Sequence, residues 1–224
     1  MAPRKIMLTG CSGVGKTTLA KWISECYGIP FISGSYSDLV PETREEKHAD
    51  MITKDPQKVF LQDTQVINLR KKSFQNKREF VSDRSYFDSA AYHIQKSSHL
   101  IKECDSEHFI KICETLMAEQ CTHLIFIPFS VDFLQNWEME NNNKRVLNRF
   151  YQFEVSQILY GMLDLWRWKV NRIKSFFSGG KPNSIGTITC CSYDDQPDKK
   201  IKVLILDETD FNIRKILVRK FLSE

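Results

Sequence analysis

Residues 7–20 read MLTGCSGVGKTTLA. Glycine stands at 10, 13 and 15, followed by one lysine and two threonines, directly after the short apolar segment KIMLT (5–9). Few folds tolerate that arrangement. Glycines so close together weaken any helix or strand interior. They serve where the backbone must curl with positive φ and bring its amides close to an anion. The segment that follows, from Thr17 to Cys26, sets Leu19, Ala20, Trp22, Ile23 and Cys26 on one helical face. A helix starting near Lys16 aims its unpaired N–H groups and the positive end of its dipole at the same point. Strand, loop and helix together make a cradle for a polyphosphate.

Gly10-Cys11-Ser12-Gly13-Val14-Gly15-Lys16-Thr17 matches the Walker A pattern G-x-x-x-x-G-K-[ST] in full. The expected ligand is ATP with Mg2+. Its contacts are Gly10, Ser12, Gly13, Val14, Gly15, Lys16, Thr17 and Thr18. Lys16 reaches the β and γ phosphates, and the Thr17 hydroxyl ligates the metal.

The rest of the chain alternates short apolar runs with helical periodicity. This predicts a three-layer α/β/α fold with a five-stranded parallel sheet. The strands are KIMLT (5–9), IPFIS (29–33), REFVS (78–82), HLIFIP (123–128) and KVLIL (202–206), most of them uniformly apolar, as strands covered on both faces should be. A helix begins at DPQKVF, with Asp55 as cap and Pro56 in its first turn, and runs to about Phe74. It groups Val59, Phe60, Gln62, Val66, Leu69 and Arg70. Further helices are expected at 85–98, 107–119, 145–172 and 210–222. The polar stretches 34–50 and 178–200 read as loops, the second an insertion that has room for a short hairpin. The 224 residues are read as one domain.

The net charge of +4 suits a phosphate-rich ligand without demanding nucleic acid, and serves solubility equally well. The seven cysteines are odd in number and contain no Cys-x-x-Cys pair, which disfavours a zinc site or a disulfide framework. Reduced thiols and a cytoplasmic location are expected. KIMLTG reaches glycine too soon for a signal peptide, and no apolar stretch is long enough to span a membrane.

A second motif lies in REFVSDRSYFDSAAYH (78–93), where a strand ends in Ser82-Asp83-Arg84-Ser85 and a helix follows. Ligands of open α/β sheets gather beyond the carboxyl ends of strands, which puts Asp83 and Arg84 beside the cradle. An acid there can orient magnesium or take a proton from an acceptor hydroxyl. An arginine there can hold phosphoryl oxygens with two parallel bonds.

A Walker A strand, a helix carrying Phe and Gln, and a strand ending Asp-Arg-Ser together resemble the nucleoside and nucleotide kinases, among them deoxynucleoside and thymidylate kinases. FVSDRSYFDSAAY is also similar to small phage P-loop kinases, including deoxynucleotide kinases. The resemblance implies transfer of the γ-phosphoryl of ATP to a nucleoside or nucleoside monophosphate, with a deoxynucleotide favoured. It makes Asp83 the general base or the magnesium-orienting acid, and Arg84 the clamp on a phosphoryl group. It turns the helix 56–74 toward the acceptor base, with Phe60 to stack on it and Gln62 or Gln65 to pair with it. Deoxynucleoside kinases add an acid after the second strand. Here that region reads ISGSYSDLVPE, so Asp38 or Glu42 would have to serve.

Kinases of this kind also carry arginines on a lid after the fourth strand, which corresponds here to about 137–150. Arg145 and Arg149, four apart and so on one helical face, become the lid arginines that stabilise charge on the transferring group. The aromatic segment that follows can pack into the core or form a homodimer. The adenine is expected near 206–215, by position alone. Two other readings remain. One is a kinase acting on a hydroxyl of DNA or RNA, which the basic runs RKKSFQNKR (70–78) and KKIK (199–202) permit. The other is a P-loop ATPase or switch that is not a kinase.

Overall fold

Ile6, Met7 and Leu8 have no exposed surface. They form the middle of β1 (Lys5–Thr9), an inner strand of the sheet. A strand whose residues all face apolar neighbours must be flanked by strands and covered by helices on both sides. The computed structural model describes residues 3–40, 55–96, 98, 100–130, 149–163, 170–178, 181–190 and 199–223, with backbone alone for most of 170–199.

Five parallel strands form the sheet's main body: β1, β2 (Phe31–Ile32), β3 (Phe80–Ser82), β4 (His123–Phe126) and β7 (Lys199–Ile205). Their order is β2-β3-β1-β4-β7. The α/β/α expectation holds, and all five expected strands are present. The register pairs Met7 with Ser82 and Thr9 with Phe126. Strands β1 and β3 therefore leave the sheet side by side, which brings residue 10 and residue 83 into one neighbourhood.

The helices are α1 (Lys16–Tyr27), the short α2 (Tyr36–Leu39), α3 (Pro56–Phe74), α4 (Tyr86–Lys96), α5 (Glu103–Gln120), α6 (Arg149–Gly161) and α7 (Phe211–Ser223). Helix α3 begins as its sequence dictates: the Asp55 carboxylate accepts the Gln57 N–H at 3.0 Å, with Pro56 in the first turn. The segments 41–54 and 131–148 lie outside the described residues, and with them Glu42, Arg145 and nearly all of the expected lid. Among the described residues, no helix is long and apolar enough to cross a membrane. Cys11, Cys26, Cys104, Cys113 and Cys121 are free thiols.

One expectation is corrected. Among the described residues, the helix anticipated over 145–172 covers Arg149–Gly161, and Val170–Ser178 is a strand, β5. β5 pairs antiparallel with β6 (Lys181–Cys190), which pairs antiparallel with β7. The hairpin foreseen in the 178–200 insertion thus begins earlier and extends the parallel sheet by two strands. Aromatic and β-branched residues at 170–178 satisfy their backbone through a partner strand, and periodicity within a single segment does not register that partner. Pairing with β6 also carries β7 three residues further toward the N-terminus than the apolar run KVLIL marks.

His123 opens β4, and its Nδ1 lies 2.8 Å from the Thr122 hydroxyl. Burial, with Lys202 and Arg4 nearby, pushes its pKa down to about 4. The folded ring therefore stays neutral where the unfolded ring, with an ordinary pKa of about 6.5, takes a proton. Stability should fall as pH drops from about 6.5 toward 4. Denaturant midpoints at pH 7 and pH 4.5 should separate further for the wild type than for His123→Gln. Equal separations would rule this ring out as an acid-sensitive element.

Candidate active site

The loop after β1 curls as the motif requires. Gly10 has φ 147°, and a Cβ there would collide with the Ile127 carbonyl oxygen on β4's exit, so glycine is obligatory. Lys16 is 5% exposed, and its Nζ folds back to donate to the carbonyls of Gly10 (2.6 Å) and Cys11 (2.5 Å). Burial, then the charge of Arg84, lowers its pKa to about 7, against the opposing pull of Asp88, Cys11 and Asp83. Cys11 itself is a packing residue: burial pushes its thiol up to about 12, which leaves no thiolate for chemistry. Ser12, Gly13 and Val14 continue the loop, while Thr17 and Thr18 are exposed at the start of α1.

Asp83 meets the loop directly. The Thr17 hydroxyl donates to Asp83 Oδ2 at 2.6 Å, and the Gly34 N–H donates to Asp83 Oδ1 at 2.9 Å. Both carboxylate oxygens are thus held, one by the Walker threonine and one by the backbone beyond β2. Arg84 is partly exposed. Its Nη1 lies 3.6 Å from Asp88, and the Tyr92 phenol is a further partner.

Several residues of this centre carry no motif of their own. Asp88 accepts from the Gly10 N–H (3.2 Å) and from the Ser85 N–H (2.8 Å) and hydroxyl (2.9 Å), so it links α4 to the loop. Gln152 of α6, 1% exposed, accepts the Ser12 N–H at 2.9 Å. Arg214 of α7 donates to the Val14 carbonyl at 2.8 Å. The cradle is therefore braced at residues 10, 12 and 14 from three helices. Arg70 of α3 is 3% exposed, with Nη1 donating to the Ser85 carbonyl (2.7 Å) and Ser89 hydroxyl (2.8 Å), and Nη2 to the Gly34 carbonyl (2.8 Å). The one sequence signal for it was an arginine in the apolar stripe of α3, since a charge on a buried face must find partners.

Gly34 joins these contacts. A Cβ there would sit 2.6 Å from Arg84 Cβ and 3.0 Å from Ser82 Oγ. Gly34→Ala should displace the N–H that holds Asp83 and the carbonyl that holds Arg70. We expect a loss of about 1–3 kcal/mol in stability, read from denaturant midpoints. Turnover should also fall by at least about tenfold. A normal midpoint and a normal rate would mean that the loop has room to spare.

The expected acceptor-side residues fare unevenly. Asp38 is exposed, and its Oδ2 accepts the Ser33 hydroxyl at 2.6 Å. Phe60 packs against His93 (centroids 5.7 Å) and Phe109 (5.8 Å), toward the core and α5. Gln62 is half-buried, with a buried Oε1 that has no hydrogen-bond partner among the described residues. Gln65 is exposed, one helical step away from it. Arg149 opens α6 with its guanidinium over the Phe150 ring at 4.9 Å.

A glycine loop between a central parallel strand and a helix, with an acid from the neighbouring strand bonded to the loop's threonine, defines the P-loop nucleotide-binding proteins. Within that class, a family model described as AAA domain matches residues 5–174, and the chain belongs to that family. No curated protein matches the sequence. Among solved structures, deoxyadenosine kinase from M. mycoides with bound dCTP superposes with a TM-score of 0.61 at 11% identity, covering 98% of this chain and 99% of that one. The NadR protein in complex with NR gives a TM-score of 0.53 at 12% identity, over 72% of this chain and 42% of that one. The same deoxyadenosine kinase with bound dATP gives 0.51 at 14% identity, over 70% and 82%. The architecture is that of the P-loop kinases.

Proposed function

We propose that this chain is an ATP-dependent phosphotransferase that moves the γ-phosphoryl group to a nucleoside or nucleoside monophosphate, with a deoxynucleotide as the favoured acceptor. The observation that carries this reading is the 2.6 Å bond from the Walker threonine to Asp83, at the carboxyl ends of adjacent strands. Magnesium prefers a few hard oxygen ligands beside substrate phosphates. Thr17 and Asp83 fit that need, the first as direct ligand and the second as its orienting acid. When bound, the ion would neutralise charge on the β and γ phosphates.

With both its oxygens occupied, Asp83 suits the metal-orienting role better than that of proton acceptor. Asp38, beyond the end of β2, is the acid nearer the acceptor's expected place. Lys16 leaves its carbonyl partners for the phosphates, and Arg84, partly exposed, clamps a phosphoryl or acceptor phosphate. The buried, unpartnered Oε1 of Gln62 is an acceptor suited to a base's amino edge. Phe60 is a wall packed from behind by His93 and Phe109 rather than a free stacking ring. Arg149, with Arg145, would close over the site as the lid. Phe150 (67% exposed) and Phe153 (52%) lie on the face of α6 that a homodimer would use. That deoxyadenosine kinase shares the fold over the full chain supports a nucleoside-type acceptor. A nucleic-acid acceptor is less favoured, because Arg70, the first residue of the basic run, is buried as a brace.

The test is to incubate the protein with γ-labelled ATP and magnesium against nucleosides, monophosphates and DNA, at low and high salt. Label on a free nucleoside or monophosphate is the expected result. Label on DNA that fades with salt would move the acceptor to a polynucleotide. Steady ATPase without transfer would sink the kinase reading.

A further inference from the structure

We infer that Arg214 is a positioning residue of the phosphate cradle, one that turns the Gly15 amide toward the nucleotide by holding the peptide bond before it. The inference rests on the nucleotide-binding reading above and adds a residue that no motif marks.

In a trans peptide the carbonyl and the following N–H point in opposite directions. Arg214 Nη1 donates to the Val14 carbonyl at 2.8 Å, across 200 residues of sequence. With that carbonyl drawn toward α7, the Gly15 N–H of the same peptide faces the other way, into the loop's concave side. Gly15 has φ 86°, and a Cβ there would lie 3.2 Å from Arg214 Nη1. The guanidinium thus packs closely against the position a Cβ at 15 would take.

Arg214 is itself held firmly. It is 3% exposed, and its Nε donates to the Glu208 carbonyl. The loop between β7 and α7 is wound by two acids. Glu208 Oε1 accepts the N–H groups of Thr209 (2.7 Å) and Asp210 (3.0 Å). The Asp210 carboxylate caps α7 through Asn212 (2.8 Å) and Ile213 (3.0 Å). Burial lowers the guanidinium's pKa to about 10, with Glu208 and Asp207 opposing, so it remains a cation at neutral pH. A rigid loop in the region expected to receive the adenine therefore connects through one side chain to the peptide that meets the phosphates.

The experiment uses Arg214→Met and Arg214→Lys in the full chain. Binding of MgATP and of magnesium pyrophosphate is measured by calorimetry, and thermal melts confirm that each variant is folded. Loss of a charge-assisted, buried hydrogen bond should weaken both probes by about tenfold to a hundredfold in Arg214→Met. Lysine keeps the charge but cannot span both carbonyls, so Arg214→Lys should bind clearly less well than wild type. In protein labelled with 15N-glycine, the Gly15 amide signal should shift on adding pyrophosphate in the wild type and respond less in both variants. Wild-type binding by Arg214→Lys, or an unchanged Gly15 response in a folded variant, would overturn the inference alone. A wild type that binds neither probe would overturn the nucleotide reading and the inference with it.

Discussion

Lys16→Met should abolish phosphoryl transfer and leave the nucleotide-free protein at least as stable as before. The two effects have one cause. Among the described residues, the buried ammonium donates to the carbonyl oxygens of Gly10 and Cys11. Burial and the nearby Arg84 push its pKa down to about 7, which marks a cation placed at a cost. Methionine keeps the apolar stem in the same channel and removes the charge. A triphosphate would add strong counter-charge beside the ammonium, and there the lysine becomes indispensable. Turnover should fall by on the order of 1,000-fold in a coupled assay, the scale for deleting a charge-stabilising donor at a reacting group. The thermal midpoint without ligand should hold or rise, while the midpoint shift produced by MgATP shrinks. Retained turnover would end the cradle assignment. A collapse of the ligand-free midpoint would make Lys16 a structural brace.

Asp83→Asn is the second large effect, and its argument is about hydrogen-bond polarity. The Asp83 carboxylate only accepts, from the Thr17 hydroxyl on one oxygen and the Gly34 N–H on the other. Asparagine has the same shape but must present its NH2 to one of them. Placed toward Gly34, it sets donor against donor. Placed toward Thr17, it donates to that oxygen, and the threonine's own hydrogen turns toward the metal position. Either way the fold survives and magnesium ligation fails. Turnover should drop by about a hundredfold or more, while affinity for ATP measured without magnesium changes little. Equal losses in turnover and in metal-free affinity would show that Asp83 only supports the loop.

Much of the centre is legible in the sequence. Gly10 to Thr17 spell the cradle because a polyphosphate needs amides, a lysine and a hydroxyl within one turn of chain. Asp83 and Arg84 could be placed because chemistry in such sheets collects where strands end. Asp55 and Pro56 announce the start of α3 by local capping alone. The β5–β6 hairpin was not legible in full, since its backbone is satisfied by strands elsewhere in the chain. Phe60 and Gln65 show a related limit. The family resemblance assigns both to the acceptor base, but it does not say that His93 and Phe109 pack against the phenylalanine or that the glutamine is exposed.

The order of residues by itself determined the local devices: the glycine loop, the helix it opens, the capped start of α3 and the acid–arginine pair after β3. Each depends on atoms a few residues apart, and so on covalent geometry and neighbouring hydrogen bonds. Only the tertiary structure decided what holds those devices in place. Asp88, Gln152 and Arg214 brace the loop, and Arg70 and Gly34 seat Asp83, through contacts between side chains and backbone groups far apart in the chain. A buried donor must find an acceptor somewhere, but which one it finds depends on strand register and helix packing.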